Sequence, residues 1–247
     1  MTDRPLVAVF RPDDERTERA LAVLDSLGVS GLSDPMLEVV PTGNRPREDA
    51  DYTIITSKTG AELLEETAWP KSGTLCAIGD PTAAALRKAG YSVDIVPETF
   101  SSSGLVEHLG SDVAGTRVEV ARSDHGSPVL LDGLEAAGAY VHETILYRLI
   151  RPDEAGISVE RAGAGELAGA LFTSSLTVEH FLEAATERGI RESALAGLDD
   201  AVVGAIGEPT ADTARAAGIQ VDVIPGEAEF EALARTVVNE LRANNCQ

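Results

Sequence analysis

Residues 76–97 read CAIGDPTAAALRKAGYSVDIVP, and residues 204–225 read GAIGEPTADTARAAGIQVDVIP. Twelve of the 22 aligned positions are identical. A shared Ile-Gly-x-Pro-Thr-Ala followed by the same downstream pattern marks two copies of one structural unit. In each copy an apolar strand ends and a helix begins. Gly79 and Gly207 allow the tight turn. Pro81 and Pro209 suit the first helical turn, where a missing N–H leaves nothing unpaired. A second pair lies upstream: Ile55-Thr56-Ser57-Lys58 answers Phe172-Thr173-Ser174-Ser175. The interval between the two motifs is about 11 residues longer in the second copy.

Outward from the repeat, strands and helices alternate. Leu6–Phe10 is a short continuous apolar run, as expected of a strand buried on both faces. Residues 13–27 carry Ala20, Leu21, Leu24 and Leu27 on one helical face, closed by Gly28. Strands are expected at 37–41, 52–56, 74–78, 93–96, 117–121 and 141–149. Helices are expected at 58–67, 81–89, 103–109 and 128–137. After a loop, the alternation resumes at Ala170. Such alternation means an α/β fold, with parallel sheets covered by helices on both faces.

The chain has 247 residues, with 41 Asp and Glu against 20 Lys and Arg, for a net charge of −21. Its surface repels phosphate backbones, and the basic residues are scattered, so no nucleic-acid partner is expected. No apolar run approaches the ~20 residues of a membrane helix, and residues 1–5 carry no charged-then-apolar leader; a cytoplasmic protein is expected. Only three of the basic residues are Lys. Carboxylates hold water and cations, whereas Lys stems expose apolar surface, so the bias reads as adaptation of a halophilic host to high salt. Cys76 and Cys246 alone form neither a disulfide framework nor a zinc site.

The repeated turns carry the candidate site. Free N–H groups at Gly79 and Gly207, with the hydroxyls of Thr82 and Thr210, form anion-binding turns at the carboxyl edge of a sheet. Thr56, Ser57, Thr173, Ser174 and Ser175 lie at strand ends leading into helices. Each either caps its helix or binds a ligand carboxylate. As a set on one sheet edge they favour ligand binding. Arg11 and Arg122 follow strands directly and could grip a carboxylate bidentately or pair with a surface acid. Lys58 sits beside the same turns. Tyr147 reads as an interface aromatic or a proton donor, and from the residues alone the interface is favoured. No GxGxxG or GxxxxGK[ST] occurs, and the four histidines lack metal-ligand spacing, so neither metal nor cofactor is expected. Asp124 and His125 beside Ser123 and Ser127 lack a nucleophile elbow, and loop neighbours rarely face one another; His125 is expected to be an exposed loop residue.

In order and spacing these motifs resemble the uroporphyrinogen-III synthase family over essentially the whole chain. The resemblance rests on Arg11-Pro12, Thr56-Ser57, Ala77-Ile78-Gly79-x-x-Thr82-Ala83 and Gly90. It continues through Ser101-Ser102-Ser103-Gly104-Leu105, Arg122, Gly138–Val141 leading to Tyr147-Arg148, Thr173-Ser174 and Ile206-Gly207-x-x-Thr210-Ala211. Ser123 stands where the family typically has Gly. The resemblance implies two similar flavodoxin-like or Rossmann-like parallel-sheet lobes joined by two extended linkers, with a ligand cleft between them. One lobe is residues 1–36 plus 152–247, and the other is residues 37–151. It implies dehydration and cyclisation of hydroxymethylbilane to uroporphyrinogen III, a lyase reaction of tetrapyrrole and heme biosynthesis, without cofactor. Tyr147 is then the general acid, with Ser102 and Ser103 joining the substrate-binding set above. The expected protein is an archaeal monomer that meets hydroxymethylbilane synthase transiently. A non-catalytic two-lobed binder of anionic small molecules is the alternative, with Tyr147 merely structural.

The halophilic reading has a direct test. In dilute buffer the melting temperature and far-ultraviolet dichroism should fall well below their values in concentrated salt. An unchanged transition would remove it.

Overall fold

The computed structural model describes residues 4–11 and 15–244. Residues 1–3, Pro12, the expected helix start at Asp13, and Cys246 lie outside the described residues. In chain order the elements are β1 (Leu6–Phe10), α1 (Glu15–Ser26), β2 (Ser30–Ser33), β3 (Glu38–Pro41), β4 (Tyr52–Ile55), α2 (Lys58–Thr67), β5 (Thr74–Ala77), α3 (Asp80–Lys88) and α4 (Ser102–Leu109). A short 3-10 turn (Gly110–Val113) precedes β6 (Arg117–Ser123), α5 (Pro128–Ala136) and β7 (Tyr140–Ile150). Then follow α6 (Ile157–Gly163), β8 (Gly169–Phe172), α7 (Ser175–Glu187), α8 (Arg191–Asp199), β9 (Val202–Ala205), α9 (Glu208–Ala216) and α10 (Phe230–Asn244).

The chain divides into two compact units, Met1–Glu38 with Ile150–Gln247, and Val39–Leu149. In the first the strand order is β2-β1-β8-β9, every pair parallel. In the second it is β3-β7-β6-β4-β5, parallel throughout β7-β6-β4-β5. Isolated parallel bridges, Gly204 with Val223 and Cys76 with Ile95, add a rudimentary fifth position beside β9 and β5. Counted within the first unit, the order is 2-1-3-4-5, the flavodoxin-like arrangement. The second unit repeats it in permuted chain order: β4, β5, β6 and β7 stand where β8, β9, β1 and β2 stand in the first. Each sheet is buried on both faces. In the first unit, α6 to α9 cover one face around Phe10, Phe172 and Phe181, and α1 with α10 cover the other around Leu24, Leu233 and Val237. In the second, α2 and α3 pack around Leu64 and Leu86, and α4 and α5 around Leu105 and Leu134.

Four features depart from the sequence expectations. β2 has no apolar run; Ser30–Ser33 pairs with β1 in register, and a Cβ on Gly31 would meet Leu21 Cδ2 at 2.6 Å. The segment after β7 is not simply a loop but contains α6. The extra residues of the second copy form α8, which packs on α6 so closely that a Cβ on Gly197 would lie 1.8 Å from the Ala162 carbonyl oxygen. Both helices are short, seven and nine residues, so periodicity had little length to register. Finally, the strand expected at 93–96 is one bridge. Asp94 Oδ2 takes the Leu75 N–H at 2.8 Å, and Asp222 Oδ2 takes the Val203 N–H at 2.8 Å. These are donors that a longer ladder would direct to carbonyls, so the side chains end the pairing.

One buried carboxylate ties distant chain in the first unit. Asp34, 1 % exposed, accepts from the N–H groups of Gly156 at 2.9 Å and Ser158 at 2.8 Å, and from the Ser158 hydroxyl. It caps α6 from 122 residues away, where the positive end of the helix dipole favours an anion. Nearby, His180 Nδ1 lies 2.5 Å from the Met36 carbonyl oxygen. Asp34→Ala leaves several buried donors unpaired and should cost about 3 kcal/mol, a drop in melting temperature of roughly 6–12 °C. Asp34→Asn, which keeps an acceptor oxygen, should cost less. Melting of Asp34→Ala at the wild-type temperature would contradict this account.

Candidate functional site

In the second unit the strand order reverses between β4 and β6. The helices after these strands, α2 and α5, pack on opposite faces, so the carboxyl ends of the strands are left uncovered. Ligands of doubly wound sheets bind at such a point. A cavity of about 380 Å³ opens there. It is lined by Thr56 and Ser57 after β4, Ile78 after β5, Arg122 and Ser123 at the end of β6, Tyr147 on β7, and Phe100 to Ser102 before and at the start of α4.

Tyr147 owes its place to a bulge. Arg122 stands opposite Ile145, whereas Ser123 stands opposite Tyr147, so Leu146 is one extra residue on β7. The bulge re-aims the following side chain. Tyr147 is buried, and its hydroxyl donates to Ser57 Oγ at 2.9 Å. Ser57 is the N-cap of α2, its Oγ also accepting the Gly60 N–H at 2.9 Å. Both lone pairs of that oxygen are occupied, so the Ser57 proton must be donated elsewhere.

Of the two readings open for Arg122, ligand clamp or partner of an acid, the structure shows the pairing. Arg122 is 7 % exposed, its Nε donating to Glu143 Oε1 at 2.5 Å and its Nη1 to the Ser127 carbonyl at 2.5 Å. A Cβ on Gly126 would lie 2.5 Å from Arg122 Cδ. The arginine therefore braces the loop 123–127 on β7. Glu143 and Gly126 went unnoticed in the sequence because their partner comes from another strand or loop. Asp124 and His125 do face each other, at 2.8 Å, contrary to the expectation for loop neighbours. Burial pushes the Asp124 carboxyl up, but the bonds from His125 and the Leu149 N–H outweigh it and hold the group below its ordinary value. Ser127 Oγ accepts instead from the Val129 N–H at 3.3 Å, and no triad forms among these residues.

Other candidates take varied places. Lys58 is exposed and pairs with Glu62 at 3.3 Å. Gly79 caps α3, and a Cβ there would meet Phe100 Cγ at 3.0 Å, so it seats that ring. Ser102 and Ser103 open α4, where Ser101 is the cap and Ser103 Oγ lies 3.1 Å from Ser101 Oγ. Thr82 and Thr210 are buried rather than displayed at the sheet edge, because the inward faces of α3 and α9 begin with them and continue through Ala83 and Ala211. In the first unit, Ser174 caps α7 in a capping box with Thr177. Thr173 Oγ1 donates to the Phe10 carbonyl at 2.8 Å, and Ser175 Oγ to the Pro209 carbonyl at 3.1 Å. Gly207 caps α9. The Arg11 guanidinium lies 5.0 Å from the centre of the Phe230 ring. Helix capping and strand-end bonding thus account for Ser57, Thr173 and Ser174, while Ser57 also belongs to the cavity. Cys76 is buried, which pushes its thiol up to about 12, an unreactive state. Among the described residues no group of three or more His, Cys, Asp or Glu could hold a metal ion, and no helix is long and apolar enough to cross a membrane.

A family model described as uroporphyrinogen-III synthase HemD matches residues 18–235. A protein of Methanothermobacter thermautotrophicus, named as a candidate uroporphyrinogen-III synthase, is 31 % identical over 221 residues, 83 % of this chain and 86 % of its own length. The fold is similar to a mutant uroporphyrinogen III synthase of Thermus thermophilus, with TM-score 0.69 and 21 % identity over 98 % of this chain and 100 % of that one. It is also similar to the uroporphyrinogen-III synthetase of Helicobacter pylori, with TM-score 0.64 and 16 % identity over 96 % and 99 % of the two chains. With most of its length matched by the family model, this chain belongs to the uroporphyrinogen-III synthase family.

Proposed function

We propose that this chain is a uroporphyrinogen-III synthase, a cyclising lyase that converts hydroxymethylbilane to uroporphyrinogen III. The observation that carries the reading to particular atoms is the Tyr147–Ser57 hydroxyl pair in the switch-point cavity. The reaction begins when the bond from the terminal methylene to its hydroxyl breaks. The departing oxygen needs a proton to leave as water. Ser57, with both lone pairs taken, has a proton to give, and Tyr147 can replace it from its own hydroxyl. Tyr147 is then the general acid, with Ser57 the hydroxyl through which its proton passes.

Loss of water leaves an azafulvene electrophile. The last pyrrole ring attacks through its substituted carbon, passes through a spiro intermediate, and is inverted before the macrocycle closes. The α-carbon proton released at closure restores the acid. Only orientation separates this outcome from direct closure, so the fold's task is to hold the chain bent. Arg122 supports this indirectly, since its bonds to Glu143 and Ser127 hold one wall of the cavity. The substrate's carboxylates call for donors. Lys58, Ser102 and Ser103 lie at helix starts in the second unit, and Arg11, Ser175 and the α9 turn at Gly207 offer the same chemistry in the first.

The test is a coupled assay in concentrated salt, with a porphobilinogen deaminase supplying hydroxymethylbilane and the oxidised porphyrins separated by chromatography. Mostly type III isomer is expected, with type I in the control lacking this protein. Type I alone from the folded protein would favour a non-catalytic binder of anionic molecules. Tyr147→Phe and Ser57→Ala should each slow turnover by roughly tenfold or more. If they form one relay, the double variant should be little slower than either alone. A Tyr147→Phe enzyme at the wild-type rate would remove the acid role.

A further inference from the structure

Phe100 is 55 % exposed, a large apolar side chain at the rim of the cavity that holds Tyr147 and Ser57. It sits at the apex of a three-residue turn, closed by the Ser101 N–H on the Thr99 carbonyl at 2.8 Å. The turn is built tightly: Ser101 caps Gly104, and a Cβ on Gly104 would lie 2.2 Å from the Thr99 carbonyl oxygen. The ring rests on Gly79, where a Cβ would come within 3.0 Å of it. The internal repeat supplies the comparison. In the first unit the same turn recurs, with the Glu229 N–H on the Glu227 carbonyl at 2.7 Å, and its apex is Ala228. A Cβ on the corresponding glycine, Gly207, would meet only Pro209, at 3.9 Å. The turn therefore forms without an aromatic. Only one copy places a ring at this apex, and there it lines the same cavity as Tyr147 and Ser57 while more than half exposed.

We infer that Phe100 is a substrate-binding residue on whose ring one pyrrole of the linear tetrapyrrole stacks, an inference that rests on the substrate reading above. Pyrrole rings are flat and electron-rich, and offset stacking on a fixed phenyl ring orients them without a hydrogen bond. The same face stabilises the cation-like azafulvene once it forms. A ring held at this rim would limit how the terminal pyrroles swing before closure.

Steady-state kinetics with hydroxymethylbilane, isomer analysis and melting curves test it together. Phe100→Ala should raise KM roughly fivefold to tenfold and raise the share of type I product, with melting within a few degrees of wild type. Phe100→Tyr should restore both values. Phe100→Leu keeps apolar bulk over Gly79 without a π face, and should behave as the alanine variant does. Wild-type KM and isomer ratio in Phe100→Ala or Phe100→Leu would overturn the stacking role while the synthase reading stands. A wild-type protein that makes no type III isomer would instead overturn the synthase reading, and this inference with it.

Discussion

Strands of a parallel sheet buried on both faces can expose polar groups only at their ends. In each unit here the helices after two adjacent strands leave to opposite faces, and the carboxyl ends between them lie open. Polar side chains from three strands of the second unit gather at that opening. β4 contributes Thr56 and Ser57, β6 contributes Arg122 and Ser123, and β7 contributes Tyr147. None of these segments is a neighbour of another in the sequence. The constraint is topological, and it explains why short turns rather than one long motif carry the site.

Within that opening the side chains hold one another. Ser57 serves both the α2 backbone and Tyr147, so the helix start and the tyrosine hydroxyl share one oxygen. The bulge at Leu146 is the device that brings Tyr147 to it. Arg122 illustrates how the environment reassigns a residue. At a strand end it looks like a carboxylate clamp, yet at 7 % exposure an unpaired guanidinium would be costly, and Glu143 with the Ser127 carbonyl satisfies it. Those two bonds make it a brace for the cavity wall that it lines.

The duplication is the other organising fact. Two units share strand order, helix starts, the Asp94 and Asp222 strand stops, and the turns at Thr99 and Glu227. Against so regular a background, differences are informative. The first unit gains α8 and sets Ala228 where the second has Phe100. The net charge of −21 adds a further condition for a substrate rich in carboxylates. At molar salt the Debye length is only ~3 Å, so distant repulsion is screened and local donors decide binding.

Much of this was legible in the residues. The repeat at 76–97 and 204–225, the apolar runs and the Gly-Pro helix starts follow from local rules of turn geometry and periodicity, and they alone establish the alternating α/β plan and the parallel sheets. They also place Thr56, Ser57, Arg122 and Tyr147 at strand ends or on a strand. Short elements with little apolar signal, β2, α6 and α8, were not legible, because packing rather than pattern makes them. Nor was the pairing of Tyr147 with Ser57, of Arg122 with Glu143, or of Asp34 with Gly156 and Ser158, which join residues 21 to 124 positions apart. Local sequence determines what each strand and turn is. Which side chains meet depends on strand order, one bulged residue and burial, and these exist only once the sheet has formed.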